Sequence, residues 1–102
     1  MVSIKRCCVE LLEQDLDGVV IASPHAFHAE QALAALKAGC HIMVEKPFTT
    51  DAKLARKIVA LAKLKRLHVV VPYGWHYRPI GIKAKALMEA NVLGPVEFIL
   101  CH

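Results

Sequence analysis

Short apolar runs alternate with stretches of helical spacing along most of this chain. GVVIAS (18–23), HIMVE (41–45) and HVVVPY (68–73) are short runs rich in Val and Ile. Their length and composition predict strands, the first of them buried on both faces of a parallel sheet. Pro72 cuts the third run short because proline cannot donate to a ladder. Between the first two runs, Ala26 to Ala38 carries Ala29, Ala32, Leu33 and Leu36 at i, i+3, i+4, i+7, and Gly39 supplies a left-handed stop. Thr49, Thr50 and Asp51 offer N-caps for a second helix running to about Lys65. Residues 7–15 (CCVELLEQD) read as a helix tail, with Val9, Leu11, Leu12 and the following Leu16 as its apolar positions. Pro79 suits the first turn of a helix ending near Asn91. GPVEFILCH (94–102) closes the chain as a fourth strand-like run.

Strands alternating with helices at this spacing pair in parallel through right-handed crossovers. The fold class expected is therefore α/β: a partial doubly wound, Rossmann-like parallel sheet with helices on both faces. Parallel strands share a heading, so their carboxyl ends meet at one edge. Three polar clusters follow the three strands: Ser23-Pro24-His25, Glu45-Lys46-Pro47 and Tyr73-Gly74-Trp75-His76-Tyr77. With neighbouring strands about 4.8 Å apart, they should line one crevice roughly 10 Å across. That edge is where open α/β sheets hold ligands.

Lys46 carries the candidate chemistry. An ammonium on a turn stiffened by Pro47 presents a charge for acid–base or polarising work. A plain strand-ending turn with a solvated lysine fits the tripeptide alone equally well. Glu45 is either solvation of the strand end or a partner for groups near Lys46. His25-x-x-His28 has the spacing of a metal pair near a helix start, but no carboxylate or cysteine completes a site. Helix capping or ligand contact accounts for it better, and no metal is expected. Trp75 and Tyr77 suit packing as well as ligand stacking. Cys40 reads as a small buried hydrophobe at a strand start.

Composition narrows the alternatives. The chain has 102 residues, 56% of them hydrophobic, which allows one domain at most. No apolar run approaches the roughly 20 residues of a bilayer span, and acidic residues come too early for a signal peptide. Cys7, Cys8, Cys40 and Cys101 form no CxxC or His/Cys metal spacing, so reduced thiols in the cytoplasm are expected. The formal charge is +4, and much of the basic character falls between Lys53 and Arg66. On a helix these residues form a solvated face around Leu54, Ala55, Ile58, Leu61 and Ala62. Lys63, Lys65 and Arg66 suit the negative end of the helix dipole. Without interleaved aromatics or a reading motif, nucleic-acid binding is not expected.

The segment DLDGVVIASPHAFHAEQALAALKAGCHIMVEKPFTTDAKLARKIVALAK resembles a pattern of the glucose–fructose oxidoreductase / inositol dehydrogenase (Gfo/Idh/MocA) family, D-V-x-I-x-S/T-P-x-x-x-H-x-x-x-A-x-x-A-L-x-A-G-x-H-V-x-x-E-K-P-x-x-x-T. HYRPIGIKAKALMEANVLGPV resembles the stretch in which that family leaves its nucleotide domain. The likeness runs from about residue 9 onward. It implies an NAD- or NADP-dependent oxidoreductase acting on a sugar, polyol or related carbonyl compound. It places Ser23, Pro24, His25 and His28 at the turn bordering the cofactor's ribose and nicotinamide, and Glu45, Lys46 and Pro47 at the family's signature turn. Lys46 then stands beside the nicotinamide and the substrate's reacting oxygen, as proton relay or electrostatic stabiliser. A dry, crowded pocket would tune such an ammonium for the task. The Lys46–Pro47 bond is expected cis, as is common in that family. His76 and Tyr77 match a stretch usually facing the cofactor, although many relatives have Arg where this chain has Trp75 or His76.

Part of the family's pattern is missing. None of the five glycines stand at G-x-G spacing, so the phosphate-cradling G-x-G-x-x-G and the acidic residue that follows it have no counterpart. By that comparison, residues 1–92 form the C-terminal half of a Rossmann-like NAD(P)-binding domain. Residues 93–102 begin a truncated α/β substrate domain. Such a fragment should be inactive alone. The alternative is a non-catalytic binding module that pairs with full-length subunits. Either way GVVIAS becomes an apolar edge, and Val96, Phe98 and Leu100 lack their sheet. An unprotected edge of this kind invites pairing. Homo-oligomers, association with full-length subunits, or poor solubility are therefore expected, and a sharp, concentration-independent monomer in sedimentation would count against poor solubility and dimer formation of the isolated chain.

Overall fold

Three strands pair in parallel, in the order β1 (Gly18–Ile21), β2 (His41–Val44) and β3 (Val69–Val70). The computed structural model describes residues 8–92, 94–98 and 100. It divides into two units, the first ending at Pro72 and the second beginning at Tyr73. The first unit holds α1 (Cys8–Leu12), β1, α2 (His25–Lys37), β2, α3 (Ala52–Lys65) and β3. Register runs from Gly18 opposite His41 to Ile21 opposite Val44, then Ile42 opposite Val69 and Met43 opposite Val70.

Local chemistry sets the helix ends where the pattern predicts them. Gly39, at φ +93°, turns the chain out of α2, and the Cys40 N–H donates back to the Ala35 carbonyl. Asp51 is extended and its Oδ1 accepts from the N–H groups of Lys53 and Leu54, at 2.6 and 3.4 Å, which satisfies two of the orphan donors that open α3. Lys65 Nζ donates to the Lys37 carbonyl at 2.7 Å. A cation from the end of α3 thereby neutralises the carbonyl end of α2.

The core lies on one face of the sheet. Ile21, Ile42 and Val44 pack with Ala29, Ala32, Ala35 and Leu36 of α2 and Ile58 and Ala62 of α3. The small alanines let α2 lie close to the strands. Cys40 is buried and donates its thiol hydrogen to the Leu16 carbonyl at 3.3 Å, as a buried residue at a strand start should.

The opposite face corrects two expectations. Val20, Met43 and Val70 form a row across the sheet by register, and all three are exposed. Thus β1 is not buried on both faces, and α2 and α3 share one face rather than flanking the sheet. Strands in sequential order with crossovers of one hand place successive helices on the same side. The apolar runs do not reveal this, because Val and Ile suit a covered and an uncovered face alike.

Other boundaries are shorter than the pattern suggests. Strand β3 spans two residues rather than 68–73, and β2 ends at Val44 before Glu45. In the first helix Leu12 packs on the core, as does the following Leu16, while Val9 is exposed. The second unit contains a 3₁₀ turn (Gly74–Tyr77) and α4 (Pro79–Glu89), with Pro79 at the helix start. Residues 94–98 and 100 form no strand. Residues 99, 101 and 102 of that expected run, and Cys7 of the first helix, lie outside the described residues.

Candidate functional site

The turns after β1 and β2 leave the same edge side by side, because Ile21 pairs with Val44 and the Glu45 N–H donates to the Ile21 carbonyl at 2.9 Å. This brings Ser23-Pro24-His25 next to Glu45-Lys46-Pro47. The Lys46–Pro47 bond is cis. Pro24, His25, Glu45, Lys46 and Pro47 are exposed and Ser23 is half-buried.

Glu45 does not reach out to a distant cation. Its Oε2 accepts from the backbone N–H of Lys46 at 2.9 Å, closing the turn on itself. Lys46 has no carboxylate partner among the described residues. The dry, crowded pocket expected around Lys46 is not formed by the described residues; the side chain stands in the open.

His28 lies elsewhere than the pattern suggests. It is fully buried, with Nδ1 2.9 Å from the Pro47 carbonyl oxygen and Nε2 2.8 Å from the Ser23 carbonyl oxygen. The His25 ring stands edge-on to it, 5.5 Å between centroids. The pair is thus one exposed ring and one internal ring, not two convergent ligands. Among the described residues no group of three His, Cys, Asp or Glu is placed to hold a metal ion.

Gln31 is the residue the sequence reading missed. Ser23 Oγ donates to its Oε1 at 2.6 Å. Gln31 stands at i+3 from His28, so both project from the same side of α2 toward the turn. That spacing was readable; the partner eight residues earlier was not. Ser23 and Gln31 border a largely apolar cleft of about 390 Å³ along β1, with Leu12, Val20 and Ala35 among its walls.

The third cluster opens the second unit. The His76 and Tyr77 rings lie with centroids 4.0 Å apart, tilted by 47°, and the Arg78 guanidinium lies 5.3 Å from the centre of the Trp75 ring, within cation–π range. Trp75, His76 and Tyr77 are exposed, so within their own unit they are not core residues. Gly81 allows α4 to lie against this turn, since a Cβ there would overlap the Trp75 carbonyl oxygen.

The model of the oxidoreductase family with an NAD-binding Rossmann fold, Gfo/Idh/MocA, matches residues 8–73. The chain belongs to this family. D-xylose 1-dehydrogenase (NADP(+)) of Hypocrea jecorina is 37% identical over 84 residues, 82% of this chain and 22% of that protein. D-glucoside 3-dehydrogenase of Escherichia coli is 41% identical over 89 residues, 84% of this chain and 24% of that protein. Among solved structures, a 3-ketoreductase from Actinomadura kijaniata in complex with TDP-benzene and NADP superposes with a TM-score of 0.74 at 32% identity, covering 82% of this chain and 27% of that one. The chain spans about a quarter of the length of the curated relatives it matches. Its three-stranded parallel sheet is therefore a Gfo/Idh/MocA Rossmann sheet in part, and NAD(P) is the family's cofactor.

Proposed function

We propose that this chain supplies the nicotinamide-facing edge of an NAD(P)-dependent oxidoreductase acting on a sugar, polyol or related carbonyl compound. The observation that carries this reading is the exposed Lys46, set on the turn after β2 beside the turn after β1, in a chain of this family. Residues 1–92 correspond to the C-terminal half of the nucleotide-binding domain and 93–102 to the start of a substrate domain. The rim formed by half-buried Ser23 and the exposed Pro24, His25, Glu45, Lys46 and Pro47 fits a nicotinamide and its ribose. His28 acts behind the rim rather than on it.

The bound nicotinamide supplies hydride acceptance or donation. The protein's task is at the substrate oxygen, where the Lys46 ammonium stabilises developing negative charge and relays the proton. No helix among the described residues is long and apolar enough to cross a membrane, and the free thiols of Cys8 and Cys40 suit a reducing cytoplasm.

A second reading has its own support. Among the described residues strand β1 is an edge, and Val20, Met43 and Val70 on one sheet face are exposed. Those features suit a non-catalytic module that pairs with a copy of itself or with full-length subunits. Calorimetric titration with NAD(H) and NADP(H), followed by gel filtration with a complete relative, separates the two. Saturable cofactor binding by the chain supports the enzyme edge. Absence of binding together with co-elution supports the module.

A further inference from the structure

We infer that His28 is a positioning residue: its ring ties the turn after β1 to the turn after β2 and so fixes where Lys46 stands. Among the described residues it is the only fully buried polar side chain. Its two contacts, at 2.8 and 2.9 Å, are both carbonyl oxygens, of Ser23 and Pro47. A carbonyl only accepts, so a ring nitrogen bonds to it only while it carries hydrogen; a neutral imidazole donates to one of the two and packs against the other. No other backbone or side-chain donor among the described residues reaches either oxygen. Without His28, the Ser23 and Pro47 carbonyls lose the ring that both contact, and with it the link between their two turns.

The mechanical logic follows from where the ends of this tie lie. His28 sits in the opening turns of α2, a thirteen-residue helix that begins at His25, whereas its partners sit on turns. From the same side of the helix Gln31 holds the Ser23 hydroxyl. Lys46 is flanked by two anchored residues: Glu45, whose N–H is bonded to the Ile21 carbonyl, and Pro47, whose carbonyl meets His28. Residue 46 is thereby held from both sides while its side chain stays in the open. The ring is fully buried, so its effect on any ligand passes through these turns. The catalytic meaning of holding Lys46 rests on the function proposed above; the tie itself does not.

The test compares the wild-type 102-residue chain with His28→Leu and His28→Gln by NMR, without cofactor. Leucine fills the site but donates nothing, whereas the glutamine amide nitrogen carries two N–H donors. The expected result for His28→Leu is amide exchange at Glu45 faster by at least about tenfold, with lowered backbone order at Lys46 and Phe48. The amides of Ala35, Leu36 and Ile58 should keep wild-type exchange. His28→Gln should restore most of the order at Lys46. Unchanged exchange and order at these turns in His28→Leu would overturn the role. So would equal loosening of turns and core in both variants, which would mark His28 as packing alone. If His28→Leu does not fold, His28→Gln decides: near-wild-type exchange at Glu45 and order at Lys46 with the core intact support the tie, because a retained donor then suffices, and any other pattern overturns it. Because no cofactor is present, the outcome is independent of the titration described above.

Discussion

Replacing Lys46 by methionine should reduce turnover by about 10²–10⁴, the usual loss when a positioned acid–base group is removed, while leaving cofactor affinity near normal. The segment is best assayed grafted in place of its counterpart in a complete, active relative, because the chain spans about a quarter of such proteins. Methionine keeps the length of the side chain and removes only the ammonium. Lys46 is exposed, and its Nζ is in neither an ion pair nor a hydrogen bond among the described residues. The substitution therefore breaks no fold contact, and a rate loss would report chemistry rather than unfolding. Arginine separates the two roles open to Lys46. A guanidinium keeps the charge but does not give up its proton. Substantial recovery by Lys46→Arg would favour electrostatic stabilisation, and a loss equal to that of methionine would favour proton relay. Unchanged turnover in Lys46→Met would remove Lys46 from the mechanism.

The rim that carries Lys46 was legible in the sequence because it depends on local signals. Asp51, Gly39 and Pro79 each act within a turn of their own position, and α2 and α3 fall within a residue or so of where their spacing places them. Parallel pairing of β1 with β2 follows from the helix between them. What escaped is tertiary. The partners of His28 stand five residues before it and nineteen after it, and no periodicity encodes such a meeting. The motif reading put His28 at the ligand because the residue lies in the right segment, whereas burial is decided by the whole sheet. The same limit hid the bare face: Val20 and Ile21 are adjacent β-branched residues, yet one is 71% exposed and the other 4%. Alternation along a strand fixes which residues share a face; only the packed layer says which face is covered.

That asymmetry predicts a sharp contrast in stability. Leu36→Ala should cost about 2–5 kcal/mol, the range for emptying a buried leucine site, whereas Val20→Ala should change stability by less than about 0.5 kcal/mol, as surface substitutions usually do. Leu36 is fully buried, and the other core residues of its helix face are Ala29, Ala32 and Ala35. It is thus the one large apolar side chain that α2 buries fully in the core, which it shares with Ile58 and Val44. Small neighbours hold α2 close to the sheet but leave little side-chain volume to collapse into the space a truncated leucine vacates. A domain of this size is held by only about 5–15 kcal/mol in total, so Leu36→Ala should remove a large share of it. Urea unfolding followed by far-UV circular dichroism measures both variants, the midpoint falling steeply for Leu36→Ala with little change in slope. If the two substitutions shifted the midpoint equally, the core could not lie on one face of the sheet, and the placement of α2, with His28 and Gln31 on it, would fall too.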